Sequence, residues 1–437
     1  MATLTHDKER GVRLEVPYIH HSDVEQFKNA ERWFETATPP KNLTFTTKDG
    51  IASLFGCRYS GHTMNFGYGY AAGYITPEEV VLTPREGDTA AALAVSELQS
   101  ELDGLSEWTR FHAIKHDRET NSEGRIKKVT VTAESLESLT WQQGEAEMNL
   151  TTSWTTKPEP SGFHVSEWIA LKSSFATHRP TLEHFKEQRK VAALLKLNFG
   201  RPLYFRRHQI RDGLFPDRAM NGDHKGTSFH EYVGRRTFRN FSQPVPTEKD
   251  LGEPIFYLAQ VGGEGLTHWN DNYETWKRFI DPVVSVLSRH GVALEDVVVS
   301  ASMSIEAAGN LIGHVTGEQA TYGRGRPTTA TYAFRVIAKL GLDFTGIAES
   351  STGMARSMAN NYNTIKHYNR GEFPDPLETY IVGHVAMLAV RLLASTLVDP
   401  SGQLAQEYVS AGKFDSFKND LKQTELYVKD SGSFEKI

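Results

Sequence analysis

Hydrophobic and polar positions follow two different periods along this chain. In the first half they alternate. Lys128-Val129-Thr130-Val131-Thr132 switches between apolar and polar at every step, the period of a half-exposed strand. Met148–Trp154 and His164–Ile169 predict further strands. Phe66-Gly67-Tyr68-Gly69-Tyr70 has no helical period and predicts a loop or a bulged strand. Two short helices are expected to interrupt this region, one over about Thr89–Leu102 and one over about Thr181–Leu197. Past the polar, proline-bearing segment Ser242-Gln243-Pro244-Val245-Pro246-Thr247-Glu248-Lys249-Asp250 the apolar positions recur every three or four residues. Helices are expected over about Asn270–His290, Leu294–Gly309, Thr328–Leu340, Thr352–Tyr368 and Leu377–Leu397. The breakers Gly291, Gly313, Pro327, Gly341, Gly371, Pro374, Pro376 and Pro400 fall between and after them. The expected fold class is therefore α+β. A β-rich N-terminal domain over residues 1–242 precedes an all-α bundle over residues 255–430.

Composition narrows the function. Of the 437 residues, 39% are hydrophobic and 23% charged, a balance that supports packed cores and argues against disorder. The net charge of −6 argues against a generally basic nucleic-acid coat and leaves room for a local basic groove. The single cysteine, Cys57, supports neither a disulfide framework nor a cysteine-rich zinc site. It sits in the apolar run Leu54-Phe55-Gly56-Cys57 and reads as a small core hydrophobe. The opening Met1–Arg10 lacks the apolar core of a signal peptide, and no stretch reaches ~18 uncharged apolar residues. The expectation is a cytoplasmic protein with no membrane contact.

One predicted helix, Thr352–Tyr368, carries candidate chemistry. Arg356, Asn360, Asn363 and His367 are spaced to fall on one face within roughly 60° at about 100° per residue. Met354, Met358 and Ile365 fall opposite, toward a core. Exposed helix faces are usually rich in Glu, Lys, Gln and Ala, whereas Asn is a poor helix former. A solvated face remains the bland reading of this stripe. A functional reading is that these groups bind an anion and move a proton.

The residues closing this helix, Tyr362-Asn363-Thr364-Ile365-Lys366-His367-Tyr368-Asn369-Arg370, resemble the HEPN signature, in which an Arg, a polar residue and a His lie near the end of a bundle helix. Most of the chain resembles the ApeA-type anti-phage HEPN proteins, through Leu54–Cys57, Val80-Val81-Leu82, Gly104-Leu105-Ser106-Glu107-Trp108 and the helix at His184–Leu197. The resemblance implies metal-independent RNA cleavage, tRNA being one candidate substrate, at a homodimer interface in the helical domain. It also implies abortive-infection defence set off by a phage-derived trigger, without cofactor or metal. His367 would move a proton at the 2′-hydroxyl or the leaving oxygen, as imidazoles do near neutral pH, and Asn363 would orient it. The family's Arg position holds Tyr362 here, or Asn361 or Asn360 under looser spacing. Arg356 lies about three turns earlier, so Lys366, Arg370 or an arginine of a second subunit would have to supply the cation. The alternative is a catalytically silent HEPN module that binds RNA or a phage protein.

Other features carry less. Glu306 lies in an apolar helix and would position Arg356 or His367, or simply be a surface glutamate. Arg201, Arg206, Arg207 and Arg211 interleave with Tyr204 and Phe205, a pattern suited to RNA contact at Arg206 and Arg207. A second basic group is Arg235, Arg236 and Arg239, and a third is Arg324 with Arg326. His112 and His116 form an HxxxH pair with no third ligand in view, so no metal is expected there. The glycines at Gly67, Gly69, Gly73 and Gly222–Gly226 miss the phosphate-loop and dinucleotide spacings.

Overall fold

A computed structural model describes the chain except residues 1, 8–10, 49, 66, 68, 136–137, 220, 236, 238–242, 368, 370–371 and 437. It has a β-rich N-terminal region followed by an all-helical one, the expected α+β class. Two compact units emerge. The first comprises residues 1–106, 111–188 and 204–246; the second comprises 107–110, 189–203 and 247–437.

In the first unit nine antiparallel strands form one sheet. They run in the order Ser138–Gln143, Ala146–Glu159, Gly162–Arg179, Val95–Leu102, Phe205–Arg211, His230–Gly234, Glu79–Val81, Gly50–Phe55 and Leu43–Thr47. A four-stranded sheet runs Thr3–Asp7, Gly11–Ile19, Tyr70–Thr76 and Arg58–Asn65. Helix α1 (Glu25–Glu35) packs on the Gly11–Ile19 strand. Its Phe34 stacks on Tyr18 and lies over Gly73, where a Cβ would come within 2.2 Å of the ring. Short helix α2 (Leu105–Thr109) follows the Val95–Leu102 strand, and α3 (Thr181–Phe199) follows the long strand ending at Arg179.

The predicted helix at Thr89–Leu102 is corrected: Val95–Leu102 is an interior strand, paired with both Gly162–Arg179 and Phe205–Arg211. Ala90–Ala92 and Ala94 upstream, with Leu93, Leu98 and Leu102, mimic a helical period, and pairing on both edges overrides that local preference in the strand. The strands expected around Lys128, Met148 and His164 lie within Ile126–Ala133, Ala146–Glu159 and Gly162–Arg179. Phe66 and Tyr68 lie outside the described residues.

The second unit holds α4 (Glu248–Leu251), α5 (Leu258–Leu287), α6 (Leu294–Ile312), α7 (Thr329–Leu340), α8 (Ser351–Lys366), α9 (Pro376–Val398), α10 (Gln403–Ser410) and α11 (Lys413–Lys422). A small hairpin, Leu426–Val428 with Phe434–Lys436, closes it. Helix α9 packs against α5, α6, α7, α8 and α10. It is apolar on all sides, as a core helix must be. By length and composition α9 would also cross a membrane, yet 78% of its most apolar window is buried. Helix α5 starts before the expected Asn270 because its first turn breaks at Gly262, which takes φ 58 and, with Gly263 and Gly265, hides the apolar period.

Candidate functional site

Helix α8 starts at Ser350, whose hydroxyl accepts the Gly353 N–H at 3.0 Å, a cap that satisfies one orphan donor. Met354, Ala355, Met358, Ala359 and Tyr362 are buried, so the apolar back of the stripe faces the core. Asn360 and His367 are exposed and Asn363 half-buried. Among the described residues the side chains of Asn360, Asn363 and His367 make no hydrogen bond; only backbone groups there are engaged. Asn360 O accepts from Thr364 Oγ1 at 2.9 Å, and Asn363 O from the His367 N–H at 3.0 Å. The helix ends at Lys366, and His367 follows with φ −113 and ψ 103. Its imidazole therefore hangs past the last turn instead of lying along the helix face.

The predicted cations are differently placed. Arg356 donates from Nη1 to the Asp430 carbonyl at 2.6 Å and from Nη2 to the Ala320 carbonyl at 2.5 Å. Gly432 packs so closely beside it that a Cβ would meet the Arg356 Cβ at 2.6 Å. Arg356 is thus a strut between α8, the hairpin and the turn at Glu318–Thr321, about 16 Å along the axis from His367 at ~1.5 Å per residue. Tyr362 is 3% exposed and belongs to the core. Lys366 is exposed, its ammonium 5.2 Å from the Tyr362 ring centre, and it is the described cation adjacent in sequence to His367. Arg370 lies outside the described residues. Glu306 accepts from Thr329 Oγ1 at 2.6 Å and is joined by hydrogen bond to neither Arg356 nor His367.

Arg206 lies in the first unit with its fork around Asp103, Nε at 2.7 Å and Nη2 at 2.6 Å, and it also donates to the Gln243 and Pro244 carbonyls. Arg207 bonds Glu231 at 2.9 Å. Both guanidinium groups hold the sheet together. His112 precedes a strand and faces Glu167 at 3.2 Å, while His116 lies on that strand opposite Val131. The pair is not helical and does not converge. Cys57 is buried, and burial pushes its thiol up to about 12, consistent with an inert core residue.

Three features had no sequence signal. Asn361 is buried beside α9, donating to Thr379 Oγ1 at 3.2 Å with its Oδ1 unpartnered. Glu318 is fully buried. It takes Arg335 in a two-pronged contact at 2.7 and 2.8 Å, Tyr322 OH at 2.6 Å and the Val315 N–H at 2.9 Å. Arg335, chiefly, holds its carboxyl down at about 2. In the first unit a cavity of about 680 Å³ gathers Arg58, Glu79, Thr181, Tyr232 and Arg235 from separate segments, enough room for a small molecule.

The model of the ApeA N-terminal domain 1 family matches residues 2–269 of the chain. No curated protein and no solved structure matches it.

Proposed function

The chain belongs to the ApeA N-terminal domain 1 family, which makes it an anti-phage protein of the ApeA type, and from that premise we propose that its helical region is a HEPN-type RNA endonuclease of abortive infection. The observation that carries the reading is the group Asn360, Asn363 and His367, the last just beyond the end of α8, whose side chains make no hydrogen bond among the described residues. Polar groups that the fold does not consume are available to a ligand. His367 takes the 2′-hydroxyl proton, the 2′-oxygen attacks the adjacent phosphorus, and the bond from phosphorus to the 5′-oxygen breaks. The leaving oxygen picks up a proton, so the products are a 2′,3′-cyclic phosphate and a 5′-hydroxyl. This needs neither metal nor cofactor. Asn363 orients the imidazole or the phosphate, and Lys366 offsets the charge that develops on the phosphate oxygens.

The β-rich domain then senses the phage-derived trigger or restrains the nuclease. The protein works in the cytoplasm as a homodimer through its helical domain, with tRNA a substrate. A second reading has one specific support. The family's Arg position is the buried Tyr362, and Arg356 is committed to two carbonyls, so a silent module that binds RNA or a phage protein without cutting is the alternative. Incubating the purified full chain with total tRNA in chelator, beside His367→Ala, separates them. The nuclease reading requires cyclic-phosphate ends from the wild type alone. Binding without cleavage, unchanged in the variant even when trigger is supplied by phage infection, establishes the silent module.

A further inference from the structure

The strand Gly11–Ile19 runs straight into two histidines, His20 and His21, and α1 starts at Glu25. The helix doubles back and brings Glu31 onto them. Glu31 Oε1 accepts the His21 N–H at 3.1 Å, lies against His20 Nδ1, and is 3.7 Å from His21 Nδ1. Glu35, one turn further on the same face, has an oxygen 4.0 Å from His20 Nδ1. One ligand atom each from His20, His21 and Glu31 lies within 4.8 Å of the other two.

Three observations distinguish this cluster from an ordinary His–Glu ion pair. First, His20 Nδ1 is buried and presses on Glu31 Oε1 without forming a hydrogen bond. Second, His21 takes the left-handed φ of 56. That backbone is uncommon outside glycine, and it goes with the two imidazoles lying tilted at 36° to one another, centres 3.7 Å apart. Third, the Tyr18 hydroxyl, on a ring only 1% exposed, also has no partner. Two buried polar atoms without a hydrogen bond thus lie in the neighbourhood of Glu31.

We infer that His20, His21 and Glu31 bind a divalent transition-metal ion of the zinc class, stapling the end of the Gly11–Ile19 strand to α1. Two imidazoles and a carboxylate suit Zn²⁺, Co²⁺ or Ni²⁺. Mg²⁺ and Ca²⁺ prefer all-oxygen shells. Bonds of ~2.0–2.1 Å to nitrogen and oxygen set neighbouring ligand atoms about 3 Å apart. An ion would thus push His20 away from Glu31 and draw His21 in. The second motion is easy, because the His21 side chain is 83% exposed. The three residues leave the fourth position of a tetrahedron to water or to a movement of Glu35, which now approaches only His20 Nδ1, at 4.0 Å. The ion lends its Lewis acidity to no step of the RNA chemistry above.

The test uses the full chain without a histidine tag, stripped with chelator and dialysed, then titrated with Zn²⁺ by calorimetry and Co²⁺ by visible absorbance. One equivalent should bind, Co²⁺ should give the intense band of a tetrahedral site, and Zn²⁺ should raise the melting temperature. His21→Gly keeps the left-handed backbone and removes only an exposed ring, so it should fold. It should lose more than the ~10–100-fold in Zn²⁺ affinity that an outer-shell change costs. His112→Ala, at a His–Glu contact elsewhere in the same unit, should bind as the wild type does. Absence of stoichiometric binding, or wild-type affinity in both His21→Gly and Glu31→Gln, overturns the assignment.

Discussion

A histidine and a carboxamide lie four residues apart within α3 and again at the end of α8, where His367 follows the last turn, and the molecule uses the two pairs in opposite ways. On α3, His184 and Gln188 are both fully buried. Gln188 donates to the Leu98 and Leu171 carbonyls at 3.0 and 3.1 Å and accepts from Ser100 Oγ at 2.6 Å. His184 reaches the Val95 carbonyl at 3.1 Å and Ser173 Oγ at 3.0 Å, and burial pushes its imidazole below the usual range. At the end of α8, Asn363 is half-buried and His367, just past the last turn, is exposed, and among the described residues neither side chain makes a hydrogen bond. Residue types and spacing are nearly the same in the two pairs. What differs is that one pair is pressed against neighbouring strands and the other sits at a helix end that nothing described covers. Polar groups pressed against a sheet are spent on its geometry, whereas those on a free face can serve chemistry.

The comparison can be broken at several points. The helical region's own pinned polar group is the Glu318–Arg335 pair, and Arg335→Leu should cost ~3–5 kcal/mol because it leaves a buried charge alone. A urea melt reads this directly, and a loss under about 1 kcal/mol would mean the pair is dispensable, contrary to the usual cost of an orphaned charge. With its carboxyl at about 2, Glu318 binds fewer protons folded than unfolded once the pH is below its ordinary value. Its contribution is complete above roughly pH 4.5, the ordinary carboxylate range, and fades as the pH falls toward 2. Glu318→Gln should flatten that acid limb. If the limb is unchanged, other carboxylates dominate it.

Gln188→Ala should cost ~1–3 kcal/mol, since the Leu98 and Leu171 carbonyls and the Ser100 hydroxyl lose a buried partner. Asn363→Ala, its counterpart on α8, should change stability by no more than about 0.5 kcal/mol, with any gain coming from alanine's better helix propensity. A loss on α8 as large as that on α3 would show that Asn363 also serves the fold. The smallest effect concerns Cys57. Its thiol, raised to about 12, should resist alkylation at neutral pH in the native protein and react freely in denaturant.

The structure also shows where sequence reasoning stops. Helices α6, α7 and α9 were readable because glycines and prolines bracket uninterrupted apolar periods, as Gly341 does after Leu340 and Pro376 does at the start of α9. Val95–Leu102 was misread because an interior strand has no clean alternation to distinguish it from a helix. Spacing placed Asn360 and Asn363 on one face of α8, but it could not tell that the helix stops at Lys366 and leaves His367 off that face. The role of Arg356 was not, because its acceptors lie 74 and 36 residues away. The same holds for Glu318 with Arg335 and for the cavity around Glu79, whose parts converge only after folding. His20, His21 and Glu31 are close in sequence, yet nothing in their spacing tells that α1 turns back onto the strand.

The most direct test of the account is the rate of tRNA cleavage by His367→Ala against the wild type, with both melting curves recorded on the same preparations. The account predicts a fall of ~10²–10⁴ in rate, the range lost with a general acid or base, and superimposable melts. Undiminished cleavage by His367→Ala would contradict it, as would loss of cleavage that merely follows loss of the folded state.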